Sequence, residues 1–562
     1  MMSLRGLYGV ASVRRIEMAW LQQTGPGLLM ARAAEAVAEQ ATRILRRLPP
    51  DTIVLLLVGP GNNGGDALQA GRLLAGRGFA VRACAVDSIL AGAPAAADAA
   101  AAWEAWHADG MRLLSLADKT AWMLPRAPLV IDGLFGIGLS RALPAAVAPI
   151  ITWLRRLRAP VLAIDVPSGL DADTGAAVHH GLVLHATVTV TMIADKPGLH
   201  TGLGLAAAGE VVIAPLNDPA ESGRVRSAPS NLLVRGVRAD AVLLDAAAIR
   251  RLLPARAINA HKGTSGEVLV IGGRLGMAGA GRLAARGALG AGAGRVSIAG
   301  DSRSTGAADP GRPEIMRAMI GASDPVPARF KVVAIGCGLG QDRQAWHYLA
   351  SVLSSRALVV CDADALNLLA AMPDLVRAVS DRGAPTILTP HPLEAARLLG
   401  VPTGRVQADR VGAAVELARR FNAVTVLKGA GTVVAHPLGH HAINASGNPV
   451  LATGGTGDVL AGVIAALAAG PLAGGRASRE DRRPAAGSAA ARARAAGAGG
   501  ERHRGLISRG AGGTRRWRLR SRPALWCGRR PAGRWRATGC GRSAPPATDH
   551  GSPARASRPI RR

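Results

Sequence analysis

Residues 59–66 read Gly-Pro-Gly-Asn-Asn-Gly-Gly-Asp and directly follow the apolar run at 52–58. Four glycines let a backbone turn tightly and approach a ligand, and N–H groups at the start of a following helix can face a phosphate. An ordinary strand-to-helix turn has the same composition, so the stretch gains meaning only from its company. Asp132 follows Pro128-Leu-Val-Ile131 and leads into Gly-Leu-Phe-Gly-Ile-Gly138, while Asp165 follows Val161-Leu-Ala-Ile164 and leads into Val-Pro-Ser-Gly169. Ligands of open α/β sheets bind beyond the carboxyl ends of the strands, so these loops should meet in one crevice. Asn63, Asp132 and Ser168 would offer an oxygen-only set for a hard monovalent or divalent cation. Asp165 is left for ligand contact or proton transfer. Any one of these aspartates alone would read as a helix cap.

A second constellation ends at 453–458, Thr-Gly-Gly-Thr-Gly-Asp, before the helix-like Val-Leu-Ala-Gly-Val-Ile-Ala-Ala-Leu. Glycines at a helix N-terminus form an anion hole in which backbone N–H groups and the helix dipole stabilise a transferring phosphoryl group. Asp458 then sits where a base can take a proton from an attacking hydroxyl. By itself it would only complement the dipole. Upstream, polar or Gly-rich loops recur at 260–264, 272–280, 336–340, 361–366, 388–391 and 427–432. Taken singly, His391 reads as a satisfied structural histidine and Lys428 as a solvated lysine.

The elements that must position these groups form two α/β series. The first has strands at 52–58, 80–86, 129–132, 161–165 and 187–192 and helices at 17–23, 27–48, 67–77 and 143–157, the alternation of a doubly wound domain. A polar stretch rich in Pro, Gly and Ser at 216–240 reads as a linker. The second series has strands at 267–272, 294–299, 332–336, 357–362, 386–388, 424–428 and 432–435. The expected division is 1–215, a Rossmann-like domain with its own core; 241–470, a second α/β domain; and 471–562, an aberrant tail.

The three motifs GPGNNGGDAL, IDGLFGIGL and AIDVPSGLDADTG, in this order, resemble the epimerase domain of the NAD(P)H-hydrate repair enzymes. The resemblance implies interconversion of the R and S epimers of NADHX and NADPHX and a bound potassium ion. It implies substrate contacts at Asn62, Asn63, Gly64, Gly65 and Asp66, at Gly136, Ile137, Gly138, Leu139, Ser140, Arg141 and Ala142, and at catalytic Asp165. It implies potassium ligation by Asn63, Asp132 and Ser168. In the second series GTGD, DADALN and KG-x-x-T resemble the ADP-dependent dehydratase domain of the same system, a ribokinase-like fold in which ADP phosphorylates the hydrate's hydroxyl and phosphate then leaves. Nucleotide contacts carried over are Lys428, Gly429, Ala430, Gly431, Thr432 and Gly457. Hydrate contacts are Ala280, Gly338, His391 and Asp458, with Asp458 as the catalytic base and Mg2+ as a further candidate cofactor. This sequence departs from the family pattern in four places: Met30-Ala-Arg-Ala-Ala34 replaces Met-Glu-Asn-Ala-Gly, Gly64-Gly-Asp-Ala67 replaces Gly-Gly-Asp-Gly, His391-Pro-Leu-Glu394 keeps only the Glu of a Gly-Glu pair, and Cys337 replaces the proline of Gly-Pro-Gly-Leu-Gly.

Composition limits the other classes. The formal charge of the 562 residues is +30. Residues 471–562 hold 23 Arg and four acidic residues, a net of 23 − 4 = +19, which leaves 30 − 19 = +11 for the first 470. No apolar run reaches the ~20 residues of a membrane span, and the five cysteines lack paired spacing, so a cytoplasmic chain without membrane contact is expected. The Arg-rich tail replaces the helices that should close the second domain. Out-of-frame translation is the preferred reading, against a disordered basic segment that binds nucleic acid through Arg and Trp. A ribokinase-like kinase of small metabolites is the alternative for the second domain. A homo-oligomer stays open.

Overall fold

The computed structural model describes residues 4–216, 233–234, 236–253, 258–300 and 309–470. The expected tail and residues 217–232 of the expected linker lie outside them. Seven parallel strands form the first sheet, in the order Leu113–Ser115, Val81–Ala85, Val54–Val58, Leu129–Gly133, Val161–Ile164, Val188–Met192, Glu210–Ala214. Every residue of Val54–Val58 is buried, as a sheet covered on both faces requires. The period of two sorts them: Val54, Leu56 and Val58 pack with the helices Leu28–Leu45 and Asn62–Gly76, while Leu55 and Leu57 pack with Val147–Leu157 on the opposite face.

Strand order changes direction between Val54–Val58 and Leu129–Gly133. The loops leaving these two strands therefore border a crevice at the carboxyl edge, the position at which a doubly wound sheet binds its ligand. The helix expected at 67–77 begins earlier, at Asn62. Gly64 and Gly65 fill its first turn because there is no space for side chains: a Cβ on Gly64 would lie 2.0 Å from the Gly59 carbonyl oxygen.

Among the described residues the second sheet has eleven strands, and its central run Val424–Leu427, Thr386–Leu388, Leu358–Cys361, Val332–Ile335, Glu267–Ile271, Arg295–Ala299 is parallel throughout. Val433–Ala435 and His441–Asn444 add antiparallel strands, and Ala241–Leu244 extends that side. The outermost strand on that side is Arg5–Leu7, from the start of the chain. It pairs with Ala241–Leu244, which would otherwise be an open edge. The end of the expected linker is not structureless, since Leu233–Val234 pairs with Val237–Arg238.

Thr456–Ala469 carries Asp458 and packs against Ala278–Gly290 through small residues, among them Ala284, Ala288, Ala461 and Ala465. The backbones approach so closely that a Cβ on Gly462 would lie 1.8 Å from the Ala284 carbonyl oxygen. Gly462→Val is expected to destabilise the second domain by about 3 kcal/mol. Calorimetry should show one unfolding transition lowered, with the transition of the first domain unchanged.

Candidate active sites

Asp132 lies at the end of Leu129–Gly133 and is fully buried. The Ser168 hydroxyl and N–H donate to its two oxygens at 2.6 and 2.8 Å, and the Leu134 N–H adds a longer bond of 3.3 Å. Burial pushes its pKa up to about 6 against the opposing pull of the Ser168 donors. Among the described residues no basic side chain is paired with it. Close by, the side-chain nitrogen of Asn63 is buried without a hydrogen-bond partner, and the Asn63 carbonyl oxygen lies 2.9 Å from the Cβ position of Gly133. A buried carboxylate, a serine and an unsatisfied amide thus crowd one strand end.

Asp165 follows Val161–Ile164 in a left-handed conformation, φ 68°. Its Oδ2 accepts from the Ile137 N–H at 3.2 Å and its Oδ1 from the Met192 N–H at 3.3 Å. Lys196 completes the grip, with Nζ 2.7 Å from Oδ1. The Cβ position of Gly136 lies 3.1 Å from both Asn63 Oδ1 and Asp165 Oδ2, so a side chain there would wedge between them. Two further carboxyl groups face the cluster. Burial and then the Asp165 charge push Glu17 up, and Asp66 is raised well above the carboxylate range by burial, then by Asp165, Glu17 and Asp98. Asn62 and the segment 138–142 form the more open rim, where the Ser140 carbonyl oxygen lies 2.9 Å from His179 Nε2. Lys196, Thr191 and Glu17 were not anticipated from the motifs. The signal available for Lys196 was a lysine just past the apolar strand at 188–192, the placement that singled out Asp132 and Asp165.

In the second domain Gly455, φ 90°, caps the helix that presents Asp458 in its first turn. Burial raises the Asp458 pKa, while a hydrogen bond with the Cys337 side chain lowers it and the Asp362 charge raises it. Lys428 Nζ lies 2.7 Å from Asp362 Oδ1 and 3.9 Å from Glu394 Oε2. It is also 3.4 Å from the Cβ position of Gly457, so the ammonium stands over the helix start. Gly338 and Ala280 are neighbours, the Cβ position of the first 3.0 Å from the Cβ of the second. His391 serves the fold as well: its Nδ1 accepts from the N–H groups of Leu393 and Glu394, both at 3.2 Å, and Glu394 Oε2 accepts from its own N–H at 2.7 Å. Asp362 was not among the expected site residues, although it ends Leu358–Cys361 and takes the Lys428 charge.

The loop 428–432 is held from two sides. Arg410, almost fully buried, donates to the carbonyl oxygens of Leu427 and Lys428 at 3.3 and 3.1 Å. From the first domain, the Thr201 hydroxyl donates to the Gly431 carbonyl oxygen at 2.9 Å and the Gly202 N–H to that of Ala430 at 3.2 Å. Cys337, Asp362 and Asp458 bring one ligand atom each within 4.8 Å of one another. A buried thiol with a raised pKa and an aspartate already paired with lysine do not fit Mg2+, which needs hard oxygen ligands in near-octahedral geometry.

The profile of the YjeF-related protein N-terminus matches residues 27–198, and that of NAD(P)H-hydrate dehydratase matches 268–503. The bifunctional NAD(P)H-hydrate repair enzyme Nnr of Coxiella burnetii is 37% identical over 444 residues, 78% of this chain and 85% of that protein. Its namesake in Escherichia coli is 37% identical over 444 residues, covering 78% and 80%. The chain belongs to the bifunctional NAD(P)H-hydrate repair enzymes. A solved structure, the ADP/ATP-dependent NAD(P)H-hydrate dehydratase from Bacillus subtilis co-crystallized with ATP/Mg2+, is 35% identical, covers 39% of this chain and 77% of its own, and has a TM-score of 0.35. The dehydratase match continues past residue 470 by 503 − 470 = 33 residues, into the stretch read as aberrant.

Lys428 and Asp362 make the most enclosed ion pair of the second site, with side chains 18% and 3% exposed. Removing one partner of such a pair strands the other charge. Lys428→Met is expected to cost about 3 kcal/mol in chemical denaturation of the second domain, and adding Asp362→Asn should recover at least half of that loss.

Proposed function

We propose that the crevice at Asp165 epimerises the hydrates of NADH and NADPH and that the site at Asp458 dehydrates the S form with ADP, a lyase and an isomerase on one chain. The observation that carries this reading is the presence of a separate carboxylate at each site, Asp165 after a strand end and paired with Lys196, and Asp458 in the first turn of a helix within the field of Lys428. Asp165 exchanges protons with the hydrate as its hydroxyl leaves one face of the ring carbon and water adds to the other. Asp458 takes the proton of the S-hydrate hydroxyl, whose oxygen attacks the terminal phosphorus of ADP. AMP departs, and loss of phosphate with a ring proton restores NAD(P)H. Lys428, Gly429, Ala430, Gly431, Thr432 and Gly457 hold the nucleotide, and Ala280, Gly338 and His391 hold the hydrate. Mg2+ would arrive as the companion of the nucleotide's phosphates. The domains run 1–215 and 241–470, except that the strand Arg5–Leu7 joins the second sheet, and the chain works in the cytoplasm.

The donor set at Asp132 fits a potassium ion, because a fully buried carboxylate without a basic partner needs a compensating charge. Asn63, Asp132 and Ser168 would hold it, and it would supply a fixed positive charge beside the bound hydrate. Saturating K+, in place of a large organic cation, is expected to raise the melting temperature by about 5 °C. The same titration on Asp132→Ala should show no rise.

Site-specific variants separate the two reactions. Asp458→Asn should abolish NADPH formation from the S hydrate, by about 10³-fold or more, while epimer exchange seen by chromatography continues. Asp165→Asn should do the reverse and leave the R hydrate stranded. Because burial raises the pKa of Asp458 and the base works ionised, dehydration should be lost as pH falls through a value above the ordinary carboxylate range, near 4. Dehydration that survives in Asp458→Asn would reject the assignment.

A further inference from the structure

We infer that Lys196 is a positioning residue for epimerisation: it fixes the carboxylate of Asp165 in the orientation that reaches the hydrate. The inference rests on the epimerase reading of this crevice. Lys196 is fully buried, so its ammonium cannot serve as a solvent-facing contact for a ligand arriving from outside. Its Nζ lies 2.7 Å from Asp165 Oδ1 and is tied down by the Thr191 hydroxyl at 2.7 Å, the Met192 carbonyl oxygen at 3.0 Å and the Ala194 carbonyl oxygen at 3.2 Å. An ammonium has three protons to donate, and here it meets four oxygens. Lysine carries a flexible stem and is seldom buried without a partner. Burial of its whole length against one carboxylate indicates a fixed charge rather than a surface ion pair.

The geometry divides the work on Asp165. Oδ1 takes the ammonium and the Met192 N–H, whereas Oδ2 has only the Ile137 N–H at 3.2 Å and points toward the Cβ position of Gly136, beside Asn63. Lys196 therefore holds the far oxygen and leaves the near one for chemistry. The backbone of Lys196 is fixed in turn: Pro197 follows it, the Asp195 side chain accepts from its N–H at 2.9 Å, and Arg5 and His200 clamp Asp195 at 2.6 and 2.8 Å. A misplacement of about 1 Å in a catalytic group costs on the order of 10²-fold in rate, so this support should appear in kcat rather than in KM.

The test measures epimer exchange of NADPH hydrates by the full-length chain, with Lys196→Met, Lys196→Arg and Thr191→Val beside the native protein. The native rate comes first, since a native chain without epimer exchange would reject the epimerase reading itself. Lys196→Met is expected to lower kcat about 100-fold with KM within about threefold of native. Lys196→Arg, which can still place a cation on Oδ1, should recover at least about tenfold of that loss, and Thr191→Val should lower kcat about threefold. Thermal unfolding followed by circular dichroism shows which variants are folded. If Lys196→Met does not fold, Lys196→Arg and Thr191→Val decide by the same kcat criterion. A folded Lys196→Met or Thr191→Val with native kcat, a loss confined to KM, or an arginine variant no better than methionine would overturn the inference.

Discussion

A carboxylate held out of water at the end of a parallel strand must be given a partner, and both halves of this molecule are arranged around that constraint. Asp165 has Lys196 and Asp362 has Lys428, each with nitrogen and oxygen 2.7 Å apart. Unpaired, such charges would be protonated or would destabilise the fold. Paired, they become fixed charges in a low-dielectric site, where they act on a substrate more strongly than in water. Asp132 is the exception among the described residues, relying on Ser168 and a backbone N–H, and burial raises its pKa to about 6.

The same need for fixed groups explains how the two domains touch. Each has its own apolar core, yet they share a polar seam. Arg5 sits on the second sheet's outer strand and reaches Asp195 of the first domain at 2.6 Å, and Asp195 holds His200. Thr201 then meets the Gly431 carbonyl oxygen and Arg410. Gly431 has room for no side chain here, since its Cβ position is 2.0 Å from the His200 carbonyl oxygen. One short segment, 195–202, therefore borders the Asp165 crevice at one end and the loop 428–432 at the other.

Much of this was legible because buried parallel strands are written as apolar runs that stop abruptly at Gly, Asp or Asn. The runs before Gly59, Asp132, Asp165 and Asp362 all became strands, and the motifs after them met as the strand-end rule requires. What was not legible has physical causes. Short or edge strands such as Arg5–Leu7, Leu113–Ser115 and His441–Asn444 bury too few residues to leave a period. Arg5–Leu7 also takes a partner more than 200 residues away, which no local pattern encodes. Asp66 looked like one more loop carboxylate, yet it lies inside the first turns of a helix and is buried, because glycines ahead of it let the helix begin early. Lys196 was hidden because charge is ordinarily a mark of surface, and only packing shows that its stem is enclosed.

The claim that one chain returns both epimers to use is tested most directly by supplying the native protein, in K+ and ADP, with a mixture of R and S NADPH hydrates of known ratio. NADPH is then followed by its ultraviolet absorbance. Recovery of the whole mixture as NADPH is the predicted result, because the first site keeps feeding the second. Recovery that stops at the S fraction would show a silent Asp165 crevice, and epimer exchange without NADPH would show a silent Asp458 site; either contradicts the account.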